Sequence, residues 1–320
     1  MEQWTKYWRK TTALNSFAEG QSALGYYGEL ELLWQAQLKH LANNASLLDI
    51  GTGNGGLAVL CYQYGRILNY QWSIHAIDAA DINPILNKYE DQTINAAISQ
   101  IKFQGNTPAE ALPYANDSFD LVCSQFAIEY TNIELALPEC IRVLKHNGKF
   151  VAIMHHQDSS IVADSYIGLR VLDLFMVESN VFVNIKMLLE LAAVLILQGT
   201  NIKSSEKFNQ LNRALFQQFK QLQGHFCDEA TAKWCQRFIA SIVPLLYELT
   251  PQSPALLEDY LRQLVLYRLR LMDQIKATLT TNHQHEIEKL LSKYQVKYSL
   301  ENVVIDRKIF GTLLEVNKFN

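Results

Sequence analysis

The stretch Leu47-Leu48-Asp49-Ile50-Gly51-Thr52-Gly53-Asn54-Gly55-Gly56-Leu57 decides the fold of this chain. It begins as an apolar strand and continues into a glycine-dense turn that opens a helix. Glycine lacks a Cβ atom and tolerates positive φ angles, so such a turn lets the backbone approach a ligand closely. In open α/β sheets, ligands bind at the carboxyl ends of the strands. The stretch therefore predicts a ligand-binding turn after the first strand of such a sheet.

Short apolar runs alternate with helical patterns from residue 45 to residue 156, which is typical of βαβ units and a parallel sheet. The runs lack regular polar alternation, as expected for strands covered on both faces. Gly148 is predicted to end the helix before the last run. The predicted strands are Ser46–Ile50, Trp72–Ile77, Ile101–Gln104, Phe119–Ser124 and Lys149–Met154.

The rest of the chain is helical in pattern until two β-branched runs, Val296–Ile305 and Ile309–Val316, separated by Asp306-Arg307-Lys308. These runs predict a hairpin. The predicted fold is α/β: a Rossmann-like doubly wound sheet, mostly parallel with a C-terminal antiparallel hairpin, and a large helical insertion before the last two strands. The predicted parts are an aromatic-rich helical segment (1–44), a sheet core (45–158 and 296–320) and the insertion (159–295).

Composition narrows the class of protein. Hydrophobic residues make up 49% of the 320 residues and the net charge is −4, which favours a packed core and argues against nucleic-acid binding. The five cysteines (Cys61, Cys123, Cys140, Cys227 and Cys235) show no C-x-x-C spacing, so we expect a reducing, cytoplasmic setting without disulfides or zinc. No signal peptide and no uninterrupted apolar run long enough to span a membrane are visible.

The glycine turn is compatible with two cofactors. Gly51, Gly53 and Gly56 fit the G-x-G-x-x-G pattern of dinucleotide sites. Asp49 favours S-adenosylmethionine (SAM) over NAD. A carboxylate beside the turn would not help to bind the pyrophosphate of NAD, whereas the sulfonium and amino group of SAM would tolerate it. An NAD-dependent oxidoreductase and a purely structural turn stay open as alternatives.

Three motifs in order resemble those of class I SAM-dependent methyltransferases. Asp49–Gly55 resembles their motif I. Ala109-Glu110-Ala111-Leu112-Pro113-Tyr114-Ala115-Asn116-Asp117-Ser118-Phe119-Asp120-Leu121-Val122 is similar to a stretch of their type 11 branch, which includes ubiquinone/menaquinone methyltransferase-like enzymes. Arg142–Lys145 followed by Gly148–Phe150 matches the helix-turn-strand that comes next. The resemblance covers residues 45–154.

This resemblance implies SAM as cofactor and S-adenosylhomocysteine as product. Asp49 would reach the methionine amino group, the loop glycines would line the methionine and ribose, and Asp78 would accept both ribose hydroxyls, with Asp81 a weaker candidate. The cofactor residues so predicted, with two N-terminal aromatics, are Asp49, Gly51, Thr52, Gly53, Gly55, Asp78, Asn106, Thr107, Ala109, Glu110, Ser124, Gln125, Phe126, Tyr7 and Trp8.

One position departs from the family. The Gly-Asp that often precedes Ala-Glu and meets adenine is replaced by Gly105-Asn106-Thr107-Pro108. Asn106, Thr107 or the Ala109 backbone could supply the adenine contact instead. Glu110 either contacts ligand or caps a loop.

Candidate catalytic groups follow two predicted strands. Glu129 and Tyr130 follow the fourth strand, and His155 and His156 follow the fifth. A neutral histidine could take a proton from a hydroxyl or amine, whereas a purely structural role is the alternative for each. His283 and His285 have metal-ligand spacing, but their polar surroundings favour a solvated turn, and we predict no metal.

The N-terminal aromatics Trp4, Tyr7 and Trp8 either pack in the core or form a lid that keeps water from the cofactor. The leading function is a methyltransferase for a small, partly hydrophobic acceptor, with the insertion as a cap over the acceptor site. The alternative is a SAM-binding protein whose helical module mediates dimerisation or partner binding without transfer, and a homodimer is compatible with either function. The acceptor and its reacting atom (O, N, C or S) are not encoded in these patterns.

Overall fold

The computed structural model describes residues 1–18, 20–225 and 228–319, so Cys227 lies outside the described residues. The chain divides into two compact units, one of Met1–Val162 with Lys276–Asn320 and one of Ala163–Ile275. The predicted insertion (159–295) is longer than the second unit. Its last segment joins the first unit because Ile287 and Leu291 pack into the core beside the sheet.

Seven strands form one sheet in the order β3-β2-β1-β4-β5-β7-β6. Strands β1 to β5 are parallel, and β7 pairs antiparallel with both β5 and β6. The mostly parallel sheet with a C-terminal antiparallel hairpin is therefore confirmed. The strands are β1 (Ser46–Ile50), β2 (Ser73–Ile77), β3 (Lys102–Gln104), β4 (Phe119–Gln125), β5 (Leu144–Met154), β6 (Val296–Ile305) and β7 (Lys308–Lys318).

Helices cover both faces of this sheet. Helices α2, α3 and α4 pack on one face and α5 and α11 on the other. Successive residues of β4 divide between the faces: Leu121 and Cys123 join the first core, and Val122 joins the second. The helices are α1 (Glu2–Lys10), α2 (Gly28–Leu38), α3 (Gly56–Ile67), α4 (Gln92–Gln100), α5 (Ile133–Val143), α6 (Ser160–Asp173), α7 (Val181–Leu197), α8 (Glu206–Gly224), α9 (Glu229–Tyr247), α10 (Ser253–Ala277) and α11 (Thr281–Leu291).

Two local predictions were wrong. Gly148 does not end a helix but lies inside β5, at an irregularity where the register with β4 shifts. A Cβ atom there would come 2.8 Å from the carbonyl oxygen of Lys145, so the glycine permits a close backbone approach. The hairpin turn contains only Asp306 and Arg307, both with positive φ, and Lys308 already begins β7.

The second unit has its own apolar core, built from α6 to α10. Phe175, Ile185, Leu189, Ile242 and Leu257 are fully buried within it. Among the described residues, no single helix has the length and apolar character needed to cross a membrane, although the bent pair Ser160–Glu178 and Val181–Leu197 meets that test by length and composition.

Candidate functional site

The order of the strands reverses between β1 and β4, and the glycine turn leaves β1 at that point. Gly51 and Gly53 adopt φ angles of 68° and 55°. A Cβ atom on Gly51 would come 2.1 Å from Cβ of Ala127, and one on Gly53 would come 2.4 Å from the Trp8 indole. The turn therefore requires glycine both for its backbone angles and for its contacts with the segment after β4 and with α1.

Two buried carboxylates flank the turn. Asp49 accepts a hydrogen bond from the Thr52 hydroxyl (2.6 Å). Asp78, which follows β2, accepts from the backbone N–H groups of Gly53 and Ala80, each at 2.8 Å. Burial raises the pKa of Asp49 to about 7 and that of Asp78 to about 6. The two groups thus form a buried acidic pair beside the turn, and burial makes their ionised forms costly.

Helix α1 lies against this turn. Trp8 packs with Ala80 and Ile82, and the ring of Tyr7 contacts the indole of Trp8 with centroids 4.8 Å apart. Arg9 forms an ion pair with Asp81, whose backbone N–H donates to the Thr5 hydroxyl at 3.0 Å. Of the predicted cofactor residues, Trp8 therefore lies at the glycine turn and Tyr7 lies beside Trp8, while Asp81 binds α1.

Asn54 connects the same turn to the segment after α1, which the sequence did not reveal. Its buried side-chain amide donates to the carbonyl oxygens of Thr11 (2.9 Å) and Ala13 (3.0 Å). The backbone N–H of Gly56 also donates to the Leu14 carbonyl. No local signal marks such contacts, because the partners are about forty residues apart.

The predicted residues at the end of β4 point in different directions. The Ser124 hydroxyl donates to the Ile50 carbonyl and accepts from the Ile128 N–H, so it serves the connection between β1 and β4. Gln125 accepts a hydrogen bond from the Trp34 indole at 2.5 Å, a partner that the sequence did not reveal. Phe126 has a φ of 53° and stacks on the His155 ring.

The predicted catalytic residues are gathered at one place except for His156. Glu129 Oε1 lies 2.7 Å from His155 Nδ1, and both side chains are almost completely buried. The Tyr130 ring meets the His155 ring edge-on, with centroids 5.8 Å apart. His156 instead accepts the Asp158 N–H through Nδ1 at 3.0 Å, which occupies that nitrogen in a turn.

The segment Gly105–Pro108, where the sequence departs from the family pattern, lies beside Asp78. The Thr107 N–H donates to the Asp78 carbonyl, whereas Asn106 is exposed and donates its N–H to Ala80. Ala109 packs in the core on the face of the sheet that α5 and α11 cover. Glu110 accepts the Asn132 N–H at 2.8 Å, so its carboxylate holds the start of α5.

The His283 and His285 pair does not form a metal site in this arrangement. His283 closes a capping box with Thr280 at the start of α11, and His285 is largely exposed. Across 1–18, 20–225 and 228–319, no cluster of three or more His, Cys, Asp or Glu side chains is placed to hold a metal ion.

Three buried side-chain atoms of the described residues have no hydrogen-bond partner: Gln125 Nε2, Glu129 Oε2 and Thr312 Oγ1. Gln125 ends β4, Glu129 follows it, and Thr312 pairs with Met154 at the end of β5. All three therefore lie at the carboxyl edge of the parallel strands. Buried polar atoms are usually satisfied, so such a concentration marks this edge as a place for ligand or water.

The sequence model of the methyltransferase domain family matches residues 48–152, which contain the glycine turn and β5 as far as Ala152. This chain carries a class I methyltransferase domain. The resemblance inferred from its motifs is thereby confirmed, and the family implies SAM as the cofactor of the domain.

Two curated relatives of the methyltransferase domain agree with this assignment. The uncharacterized methyltransferase YcgJ of Bacillus subtilis is 28% identical over 38% of this chain and 45% of its own length. The ubiquinone/menaquinone biosynthesis C-methyltransferase UbiE of Rickettsia akari is 32% identical over 43% of this chain and 54% of its own length. The chain thus spans about half the length of the curated relatives it matches.

The crystal structure of YcgJ covers 91% of this chain and 98% of its own, at 16% identity and a TM-score of 0.35. The assignment of the methyltransferase domain rests on the sequence matches rather than on this weak overall similarity.

Proposed function

We propose that the protein is an enzyme that transfers the methyl group of SAM to a small, partly hydrophobic molecule by in-line displacement. The observation that carries the proposal is the pair of buried carboxylates, Asp49 and Asp78, on either side of the glycine turn at the switch point of the sheet. SAM carries a sulfonium, an ammonium, a carboxylate and a ribose diol, so its site needs both acidic groups and hydrogen-bond donors.

The residues present fit that group. Asp78 uses both oxygens to accept backbone N–H groups, and each carboxylate oxygen keeps a second lone pair for a ribose hydroxyl. Asp49 offers a buried acceptor for an ammonium. The unpartnered amide of Gln125 supplies a donor suited to a carboxylate. Asn106, Thr107, Ala109 and Glu110 stay predictions for the adenine end.

When bound, SAM supplies an electrophilic methyl group on its sulfonium sulfur. The protein's part is to hold the acceptor close to that methyl and in line with it, which is the main source of rate in such a displacement. The rings of Phe126, Tyr130 and Trp4 supply apolar walls beside the His155 end of the site. These walls favour an acceptor with an apolar part.

Helix α1 is proposed as a lid over the cofactor. It contacts Gly53 through Trp8, Asp81 through Arg9, and Tyr130 through Trp4. It therefore reaches both the cofactor side and the acceptor side within the first unit. Excluding water there would strengthen every electrostatic contact with the cofactor.

The test is transfer of a labelled methyl group from SAM to panels of small acceptors, proteins and RNA. We expect label in a small molecule with an apolar part. Transfer only to protein or RNA would contradict the proposal. We propose a cytoplasmic location on the four buried cysteines of the described residues, since free thiols persist in a reducing compartment.

A second candidate function is partner binding or dimerisation through the helical unit without transfer. Val183, Met187, Val194 and Leu197 of α7 are exposed, which favours an interface on that helix. Sizing at several protein concentrations, together with absence of transfer to every acceptor, would support this function over the first.

A further inference from the structure

Glu129 and His155 form a buried pair between two strand ends that are separated by 26 residues. Glu129 Oε1 accepts from the backbone N–H of His155 at 2.9 Å and lies 2.7 Å from its ring Nδ1. The two contacts of Oε1 fit a carboxylate oxygen that accepts from both nitrogens. In the tautomer with its proton on Nδ1, the ring donates to Glu129 and Nε2 is the nitrogen that can take up a further proton.

The orientation of the imidazole is fixed on more than one side. Phe126 stacks on it with centroids 4.2 Å apart and planes 26° apart, and Tyr130 meets it edge-on. Phe126 holds this position with a φ of 53°, which is costly for a residue with a Cβ atom. Such a conformation at the end of β4 aims the Phe126 ring at His155.

Side-chain contacts also connect the Glu129–His155 pair with the glycine turn. Gly51 touches Ala127, which lies between Phe126 and Glu129 in sequence. A series of ring contacts runs from Trp8, beside Gly53, through the other α1 aromatics to Tyr130 and then to His155. The ring contacts are Trp8–Tyr7, Tyr7–Trp4, Trp4–Tyr130 and Tyr130–His155, with centroids 4.8 to 6.2 Å apart.

A structural ion pair would ordinarily satisfy both oxygens of a buried carboxylate. Glu129 does not do this, because its second oxygen, Oε2, is buried and has no hydrogen-bond partner. An orphaned carboxylate oxygen at this depth costs free energy unless a ligand or water donates to it. The pair therefore leaves one acceptor position for a ligand or a water molecule.

We infer that His155 is the catalytic base that takes a proton from the methyl acceptor, and that Glu129 is the positioning residue that holds its ring. The inference rests on the proposed function and names its substrate class: an acceptor whose nucleophilic atom carries a proton, such as a hydroxyl or an amine. Acceptors without such a proton, such as thioethers, gain nothing from this pair.

The acceptor's nucleophilic atom gives its proton to Nε2 of His155 and its electron pair to the methyl carbon, forming the new bond. The bond from sulfur to that carbon breaks, and its electron pair stays on sulfur. The imidazolium, stabilised by Glu129, then returns its proton to water.

The first test needs no acceptor. Nitrogen-15 NMR of the full chain at neutral pH, with His155 assigned by comparison with His155→Gln, reports which ring nitrogen carries the proton. We expect Nδ1 protonated and Nε2 unprotonated, and a change of this signal in Glu129→Gln. A neutral ring with its proton on Nε2 would overturn the inference.

The second test compares two phenols as acceptor probes at neutral pH: a neutral alkylphenol and a nitrophenol assayed where it is already ionised. We expect His155→Gln and Glu129→Gln to lower kcat for the alkylphenol by roughly 100-fold, within the usual range for a general base. The loss for the ionised phenol should be far smaller. Equal losses for both phenols would show a merely structural role and overturn the inference.

Calorimetric titration with S-adenosylhomocysteine separates this inference from the function on which it rests. We expect both variants, and the exposed controls His285→Gln and Glu134→Gln, to keep the wild-type affinity within about 3-fold, well under the 1.4 kcal/mol of a tenfold change. Failure of the wild-type protein to bind would contradict the proposed function itself. Normal binding with the wrong tautomer would contradict only the roles of His155 and Glu129.

Discussion

The proposed cofactor side and the proposed acceptor side of the site both contain buried carboxylates, but these carboxylates are held differently. Asp49 and Asp78 are held by a hydroxyl and by backbone N–H groups of nearby loops, and burial raises the pKa of each. Glu129 is held by an imidazole from another strand and leaves one oxygen without a partner. The first arrangement suits binding of a polar, positively charged ligand, and the second suits transfer of a proton. Variants on the two sides should therefore separate binding from turnover.

The largest expected effect is on the cofactor side. Asp78→Ala removes a carboxylate proposed to accept two ribose hydroxyls, and hydrogen bonds to charged groups are worth about 1.5–3 kcal/mol each. We expect the affinity for S-adenosylhomocysteine to fall by roughly 100-fold or more, measured by calorimetry. The matched control is Asp91→Asn, which removes an exposed charge but keeps an amide able to cap α4. Unchanged affinity in Asp78→Ala would remove the basis for the assigned cofactor pocket.

A pair of glycine variants tests how far the turn depends on its surroundings. Gly53 and Gly199 both have positive φ, but a Cβ atom on Gly53 would meet Trp8 at 2.4 Å, whereas nothing lies within 4 Å at Gly199. Gly199→Ala should cost about 1–2 kcal/mol of unfolding free energy through its backbone angle alone. Gly53→Ala should cost about 1–3 kcal/mol more because of overpacking. Equal losses in denaturant unfolding would mean that α1 does not pack on the turn.

The dependence of stability on pH gives a smaller effect with a definite sign. A carboxyl group whose pKa is raised on folding binds more protons in the folded state than in the unfolded state, so its contribution to stability falls as pH rises. For Asp49 this fall should run from its ordinary pKa of 3.8 to about 7. Asp49→Asn should therefore raise the unfolding free energy at pH 8 by about 1–3 kcal/mol while weakening S-adenosylhomocysteine binding. A variant that is less stable than the wild type at pH 8 and equally stable at low pH would contradict this account of the acidic pair.

The smallest effect concerns the proposed lid. Arg9→Ala removes an exposed ion pair with Asp81, and such pairs contribute about 0–1 kcal/mol. We expect a few-fold faster dissociation of S-adenosylhomocysteine in stopped-flow measurements, with little change in stability. Lys6→Ala, which breaks an exposed pair with Glu2 on the same helix, is the control. Identical dissociation rates in Arg9→Ala and Lys6→Ala would argue against a lid held at Asp81.

Features encoded by neighbouring residues could be predicted from the sequence. The strands, the glycine turn and the place of Asp78 after β2 could be predicted because each is encoded by a few consecutive residues with a characteristic pattern. The role of Asp78 stays a proposal. The mostly parallel sheet and the antiparallel hairpin could be predicted from those elements, whereas the order of the strands comes from the structure. The irregularity at Gly148 was missed because a bulge depends on the register with β4, which no local pattern records.

The surroundings of Glu129 and His155 could be predicted only in part. Glu129 and His155 were identified as candidates from their places after strands, but their pairing requires the adjacency of β4 and β5 and the left-handed conformation of Phe126. The contacts of Asn54 with residues 11 and 13, and of Trp34 with Gln125, join distant segments without any sequence signature. His156 could not be distinguished from His155 by sequence, and only the structure shows its Nδ1 bound within a turn.

The most direct test of the central claim is calorimetric titration of the full chain with S-adenosylhomocysteine, with NAD titrated in parallel. We expect micromolar binding of S-adenosylhomocysteine, corresponding to about −8 kcal/mol, and no binding of NAD. Binding of NAD in place of S-adenosylhomocysteine would contradict the assignment of the glycine turn and of Asp49 and Asp78 to a SAM site.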